Sequence, residues 1–490
     1  MKKSILSASV AMAIAGTAQA ITFTPLTAPA TAAQNESVDP FLLPDGWSQE
    51  LVTDVNTLTA HYAATGRTFP STFLNWDMID FGGSNNEFIY IPFEVQTGAG
   101  VARYDRTNST AITLLEGNNT GVFETNPGSW NKLNDDFGAF DPAVVTPTGT
   151  LVVAEEWSGN GRIFECLNPE TATGTADANW QWLSKIPSVS HEGIKFDTAG
   201  NMYFVDESNT GSIYKFVPST PGDYTVGQTF VLSINGFTGN ANENWNSATN
   251  SAATRTGAAT WVAMTDASGT ALTTADPFDF SARGGRGAAD ELGGTPYGRP
   301  EDLEIGTISG GNEVLYFATT SENVVYGVEL LSATTADVFE SVNSYVTPDT
   351  IGNSPVGEGA NDASYGLDDP DNLAFDADGN LFVIEDENPS DIWMATDSNN
   401  DGVAESVALF ASLGPFGSEG TGFIADPNDP NRFYVNIQHP SSGNDALWAI
   451  FPTPAVDTTP VPFPFAGLVI SGMGIAGLGF AAARKRKSAK

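Results

Sequence analysis

A small polar turn, four apolar residues and two acidic residues recur along the chain. Gly149-Thr150-Leu151-Val152-Val153-Ala154-Glu155-Glu156, Gly200-Asn201-Met202-Tyr203-Phe204-Val205-Asp206-Glu207 and Gly379-Asn380-Leu381-Phe382-Val383-Ile384-Glu385-Asp386 align without a gap. Ile163-Phe164, Ile213-Tyr214 and Ile392-Trp393 follow at nearly constant distance, as the return arms of β-hairpins would. Looser copies run from Phe88 to Glu94 with Tyr104, from Val314 to Phe317 with Val325-Tyr326, and from Phe433 to Val435 with Leu447-Trp448. Roughly six units result, about 50 to 65 residues apart with one interval about twice as long, the period of a radial repeat array. Four consecutive apolar residues require burial on both faces, as when a sheet stacks between two neighbours. With 50 Gly, 29 Pro and few helix-length periodic segments, the pattern predicts an all-β fold, a six-bladed β-propeller over 38–455. The stretch 222–288, rich in Asn, Thr, Ala and Gly, fills the double interval as a long insertion, either a lid over one face or an irregular blade.

The two ends read differently. Residues 1–20 have a basic start at Lys2-Lys3, an apolar run and the ending Ala18-Gln19-Ala20, which predicts a secretory signal peptide; 21–37 reads as a flexible leader. At the other end, 456–490 carries Val461-Pro462-Phe463-Pro464, an apolar Gly-rich segment from about Phe465 to Ala483 and Arg484-Lys485-Arg486-Lys487. That order predicts a membrane-spanning segment with its basic end inside. The tail resembles the PEP-CTERM class of sorting signals handled by an exosortase, with Pro-Phe-Pro in place of Pro-Glu-Pro. The expected location is the cell surface or outside, released or anchored, with extracellular polysaccharide as a further possible partner.

Charge narrows the partners. The chain has 59 acidic and 20 basic residues, and seven of the basic ones (Lys2, Lys3, Arg484, Lys485, Arg486, Lys487, Lys490) lie in the signal and tail. Without those seven the chain carries 13 basic against 59 acidic side chains, a net charge near −46, which repels nucleic acid and anionic membranes. Carboxylates brought together at one axis cannot all stay ionised without cations, and oxygen ligands make calcium the first candidate. The lone Cys166 excludes an intramolecular disulfide and, on the return strand Phe164-Glu165-Cys166, reads as a core thiol. Asp397-Ser398-Asn399-Asn400-Asp401-Gly402 has the alternating oxygens of a calcium loop without its twelfth-position Glu, so Asp397, Asn399 and Asp401 are either a structural calcium site or a polar turn. His439 stands where another unit has its acidic pair, facing the axis or lying on a surface loop.

Three further segments carry a resemblance. His191-Glu192-Gly193 leads to Tyr214-Lys215-Phe216-Val217-Pro218; Arg299-Pro300-Glu301-Asp302 follows the long interval; Pro370-Asp371-Asn372 precedes the third clean repeat. In order and context, with Trp76-Asp77-Met78 and the Thr146-Pro147 to Glu156 segment, they resemble the PhoX-type alkaline phosphatases from about Phe41 to Pro452. The resemblance implies a secreted propeller whose acidic centre holds calcium and iron and hydrolyses phosphate monoesters. It implies Glu192, Glu301 and Asp371 as metal ligands, Glu192 as catalytic through its metal, and Arg299 as the cation that grips substrate phosphate. Glu94 stands in the family's early Asn-His-Glu motif without its His, and Glu155-Glu156 match an acidic pair. The family's iron-ligating cysteine is replaced in Phe140-Asp141-Pro142-Ala143 by Asp141, an oxygen donor, which shifts the implied preference from iron toward calcium. Two rival readings stay open: a noncatalytic calcium-binding surface or matrix propeller, and a lactonase-like propeller with one calcium.

Overall fold

The computed structural model describes residues 21–31, 34–64, 68–157, 160–280, 283–343, 367–415 and 417–454. The signal and the tail from 455 onward lie outside the described residues. The body is all-β, propeller-like, with two short α-helices among the described residues, Val55–Ala64 and Gly284–Glu291. The repeated hairpins form as the apolar quartets require: Leu151–Glu155, Met202–Val205 and Leu381–Glu385 are second strands, nearly fully buried, each paired antiparallel on both sides.

Among the described residues the strands form five hydrogen-bonded sheets, three of four strands, one of five and one of nine. In the nine-stranded sheet, Ile194–Phe196 to Asp223–Ile234 form one antiparallel run and Pro300–Thr307 to Thr335–Asn343 another. Gly257–Ala263 joins them at their outer edges, pairing with Asp223–Ile234 on one side and Thr335–Asn343 on the other. The insertion therefore begins later than the sequence suggests, because Asp223–Ile234 is itself an outer strand. It escaped notice because its burial alternates, as a strand with one wet face does. The circle is closed by the N-terminal strand Trp47–Asp54, which pairs with the last strand, Ala446–Pro452.

The segment read as a flexible leader is seated at its start. Ile21 is buried, Phe23 meets Phe410 edge-on at 5.1 Å, and Leu26 N donates to Leu409 O at 3.0 Å. Three apolar side chains spaced among small residues are enough to dock it on the outer strand Ser406–Leu413. Cys166 is buried among Leu151, Val153 and Phe164, as a core thiol, with burial pushing it up to about 11.

Candidate metal centre

An acid stands at one end of the innermost strand of each four-strand run, either on the strand or just ahead of it, as Asp77 precedes Asp80–Gly82 and Glu192 precedes Ile194–Phe196. Asp77, Asp141, Glu192, Glu301, Asp371 and Glu419 come from six such runs and line a common cavity of about 140 Å³. Three of them are aimed by β-bulges. Register shifts between Phe140 and Ala143, Pro300 and Leu303, and Pro370 and Leu373 place Asp141, Glu301 and Asp371 in the extra turn of backbone. A bulge turns a side chain that regular pleating would place elsewhere. The neighbouring polar residue is spent on the next strand: Asp302 Oδ2 accepts from Leu373 N at 3.0 Å, and Asn372 Oδ1 from Gly422 N at 2.5 Å.

The second strands divide their acidic pairs. Consecutive side chains on an extended chain point opposite ways. Glu156, Glu207 and Asp386 face the cavity, whereas Glu155, Asp206 and Glu385 point back into the sheet packing. Glu155 is fully buried and grips Arg162 with both oxygens, at 2.6 Å to Nε and 2.6 Å to Nη2, while also accepting from the Arg162 and Gly138 amides. Asp206 holds Arg286 in the same way at 2.6 and 2.5 Å. Glu385 accepts from Asp368 N at 2.6 Å. Glu155, expected as a metal ligand, is therefore corrected to one half of a buried ion pair.

Glu94 completes the wall, with Gln438 bridging it: Gln438 Nε2 donates to Asp77 Oδ2 at 2.8 Å and to Glu94 Oε2 at 3.0 Å. His439, held at a positive φ of 54°, also lines the cavity. Oxygens of Glu192, Glu301 and Asp371 all lie within 4.8 Å of one another, and all three residues are buried. Thr320 Oγ1 donates to Glu301 Oε1 at 2.5 Å and fixes that carboxylate from behind.

So many carboxyls at close quarters resist ionisation. Burial, then the Glu301 charge, holds Glu192 well above its ordinary range; burial raises Glu301 to about 7 and Glu94 to about 7. Glu156 is pushed up to about 11 by burial and by its contact with Glu207. Asp77, Asp141, Asp371 and Glu419 are raised well above the carboxylate range, in each case first by burial. Asp141 Oδ1 is buried without a hydrogen-bond partner, although most buried polar atoms have one. A hard cation would satisfy it and draw the neighbouring protons off, so the donor set fits oxygen-bound metal. It does not fit a thiolate-bound iron, because Cys166 sits in the core and none of the cavity-lining residues is a cysteine.

Among the described residues that line the cavity, one cation faces the acids. Arg299, at a positive φ of 51°, donates through Nε to Glu207 Oε1 at 2.6 Å and lies 3.3 Å from Glu301 Oε1. Its side chain remains 38 % exposed at the cavity. Asp302, which follows Glu301, accepts instead from the backbone amides of Leu303 and Leu373.

A family model of alkaline phosphatase PhoX matches residues 153–441. The chain belongs to the PhoX family. Among solved structures, Pseudomonas fluorescens PhoX in complex with vanadate, a transition-state analogue, superposes with a TM-score of 0.55 at 16 % identity, covering 88 % of this chain and 98 % of that one. That likeness concerns the PhoX fold. A putative phosphatase from Bacteroides thetaiotaomicron aligns with a TM-score of 0.40 at 11 % identity, over 79 % of this chain and 72 % of its own. A gluconolactonase from Xanthomonas campestris gives 0.39 at 12 % identity, over 84 % and 97 %. No curated protein matches the chain.

Asp77, Glu207, Asp386, Glu419 and Gln438 line the cavity without having been singled out as ligands from sequence. For Glu207 and Asp386 the signal was present, as the second acid of each repeated pair; for Glu419 there was none. Asp397 and Asp401 bring ligand atoms within 4.8 Å of one another and of Glu405, which is nearer in sequence than an EF-hand's twelfth ligand. Asn399 Nδ2 donates to Glu405 Oε1, so Asn399 turns its amide nitrogen, not its oxygen, toward that carboxylate.

Proposed function

We propose that this chain is a metal-dependent phosphomonoesterase working at the acidic cavity. The observation that carries the proposal is the juxtaposition of Glu192, Glu301 and Asp371, with oxygens within 4.8 Å, and the partly exposed guanidinium of Arg299 beside them. Family membership supports the reaction class and metal dependence. In this reading Glu192, Glu301 and Asp371 hold one cation, and Asp141, Glu94 and Glu156 extend the site. Calcium is the assigned metal, because the lining donors are oxygens. When bound, it supplies positive charge against the equatorial oxygens of a transferring phosphoryl group. Arg299 grips phosphate through its planar fork, positioned by Glu207 and Glu301. A dianion would otherwise be repelled by a body of this charge.

The reading extends to the fold and the address. The nine-stranded sheet counts as two blades fused by Gly257–Ala263, giving six in all. Residues 1–20 export the chain and 456–490 sort or anchor it at the surface; among the described residues no helix is long and apolar enough to cross a membrane.

The test is a pair of variants assayed on a chromogenic phosphomonoester. Arg299→Ala should lower kcat/KM by about 10²- to 10³-fold and weaken inorganic phosphate binding at unchanged metal content. Glu192→Gln should lose metal and activity together. Calcium-loaded protein inert toward several phosphomonoesters, with or without added iron, would favour a noncatalytic calcium-binding propeller instead.

A further inference from the structure

Ala18-Gln19-Ala20 has the small-residue form of a signal-peptidase site, and the next residue is already part of the folded body. Ile21 is only 9 % exposed, in a cluster with Phe41, Phe382 and Phe410. Its main-chain nitrogen lies 3.3 Å from Asp378 Oδ2. Asp378 sits in a turn that is itself fixed: Asp376 Oδ1 accepts from Asp378 N at 2.9 Å and from Asn380 N at 2.8 Å. Among the described residues no side-chain cation pairs with Asp378. Beyond Ile21 the segment stays on the same sheet, through Leu26 N to Leu409 O and through Ala30 N to Ser412 Oγ at 2.7 Å.

An amide nitrogen at that distance gives a carboxylate a weak bond. An ammonium in the same place gives a charge-assisted one. We propose that the Ala20–Ile21 bond is cut during export and that the new α-ammonium of Ile21 pairs with Asp378, fastening the N-terminal segment across the Ser406–Leu413 strand. The step is a hydrolysis by a signal peptidase before the body folds. Water adds across the peptide C–N bond, Ala20 leaves with a carboxylate, and the Ile21 nitrogen takes up a proton. The position matters, because a cut one residue away would move the charge by about 3.5 Å along an extended chain. This inference is independent of the phosphatase reading, and either can fail alone.

The test begins with the full chain secreted under its own signal. Intact mass and N-terminal sequencing should give a mature protein starting at Ile21, and a start at any other residue overturns the proposal. Hydrogen exchange at the Leu26 and Ala30 amides is then compared in the mature protein and in a form retaining Ala20, each with and without Asp378→Asn. Since partly exposed ion pairs are individually weak, the substitution should speed exchange about two- to fivefold in the mature protein and leave the Ala20-retaining form unchanged. An equal effect in both forms, or none in either, would show that the ammonium forms no such pair.

Discussion

Glu155→Gln leaves the Arg162 guanidinium buried beside a neutral amide, and breaking a buried pair in this way costs about 3–5 kcal/mol. Urea unfolding should show that loss, with the metal content of the folded fraction unchanged. Glu156→Gln, one residue along, should do the reverse. It removes a carboxyl crowded by Glu207, so the metal-free protein should be no less stable, while elemental analysis shows less bound cation. This division of labour is only half visible in the sequence. The repeated acidic pairs announce themselves, and period-two geometry says that their members diverge. Which member meets the axis depends on the side from which the next strand run packs, and no local pattern records that.

At the scale of the element, two of the motifs that carry the family resemblance are bulges. Pro300-Glu301-Asp302 and Pro370-Asp371-Asn372 are where the innermost strands slip register, turning one polar side chain into the cavity and the next onto a neighbouring strand. The hairpins were legible because burial on both faces writes itself as apolar quartets. The bulges were not, since one extra residue leaves the composition unchanged. The same holds for close backbone approach. A Cβ on Gly193 would lie 2.4 Å from Leu303 N and 2.6 Å from Asp302 Cα, so the backbone next to Glu192 meets the strand bearing Glu301 at a point with no room for a side chain. Gly193→Ala should destabilise by about 1–3 kcal/mol through overpacking and should weaken metal binding by separating two ligands. Thermal unfolding and calcium titration check the two effects, and metal affinity unchanged in a destabilised protein would detach Gly193 from the site.

Across the whole molecule, the cavity concentrates a charge problem that the composition only hints at. Glu94 and Glu301 are raised from 4.5 to about 7 and Glu156 to about 11, so without metal the folded chain holds protons that the unfolded chain releases. Stability from this source is fully present below about pH 4.5 and declines as pH rises through 7 and onward to 11. Metal-free protein should therefore lose stability between pH 5 and 8 in denaturant titrations, and saturating calcium should flatten that slope. A metal-free protein whose stability rises over that range would mean that the cavity acids do not hold their protons. The central claim is that these acids, neutralised by a hard cation beside Arg299, make a phosphomonoesterase. Phosphomonoester hydrolysis by metal-stripped protein titrated with calcium tests it most directly: the account predicts no turnover in the stripped protein and recovery as calcium binds, whereas hydrolysis that persists without metal, or never appears at saturating calcium, would contradict it.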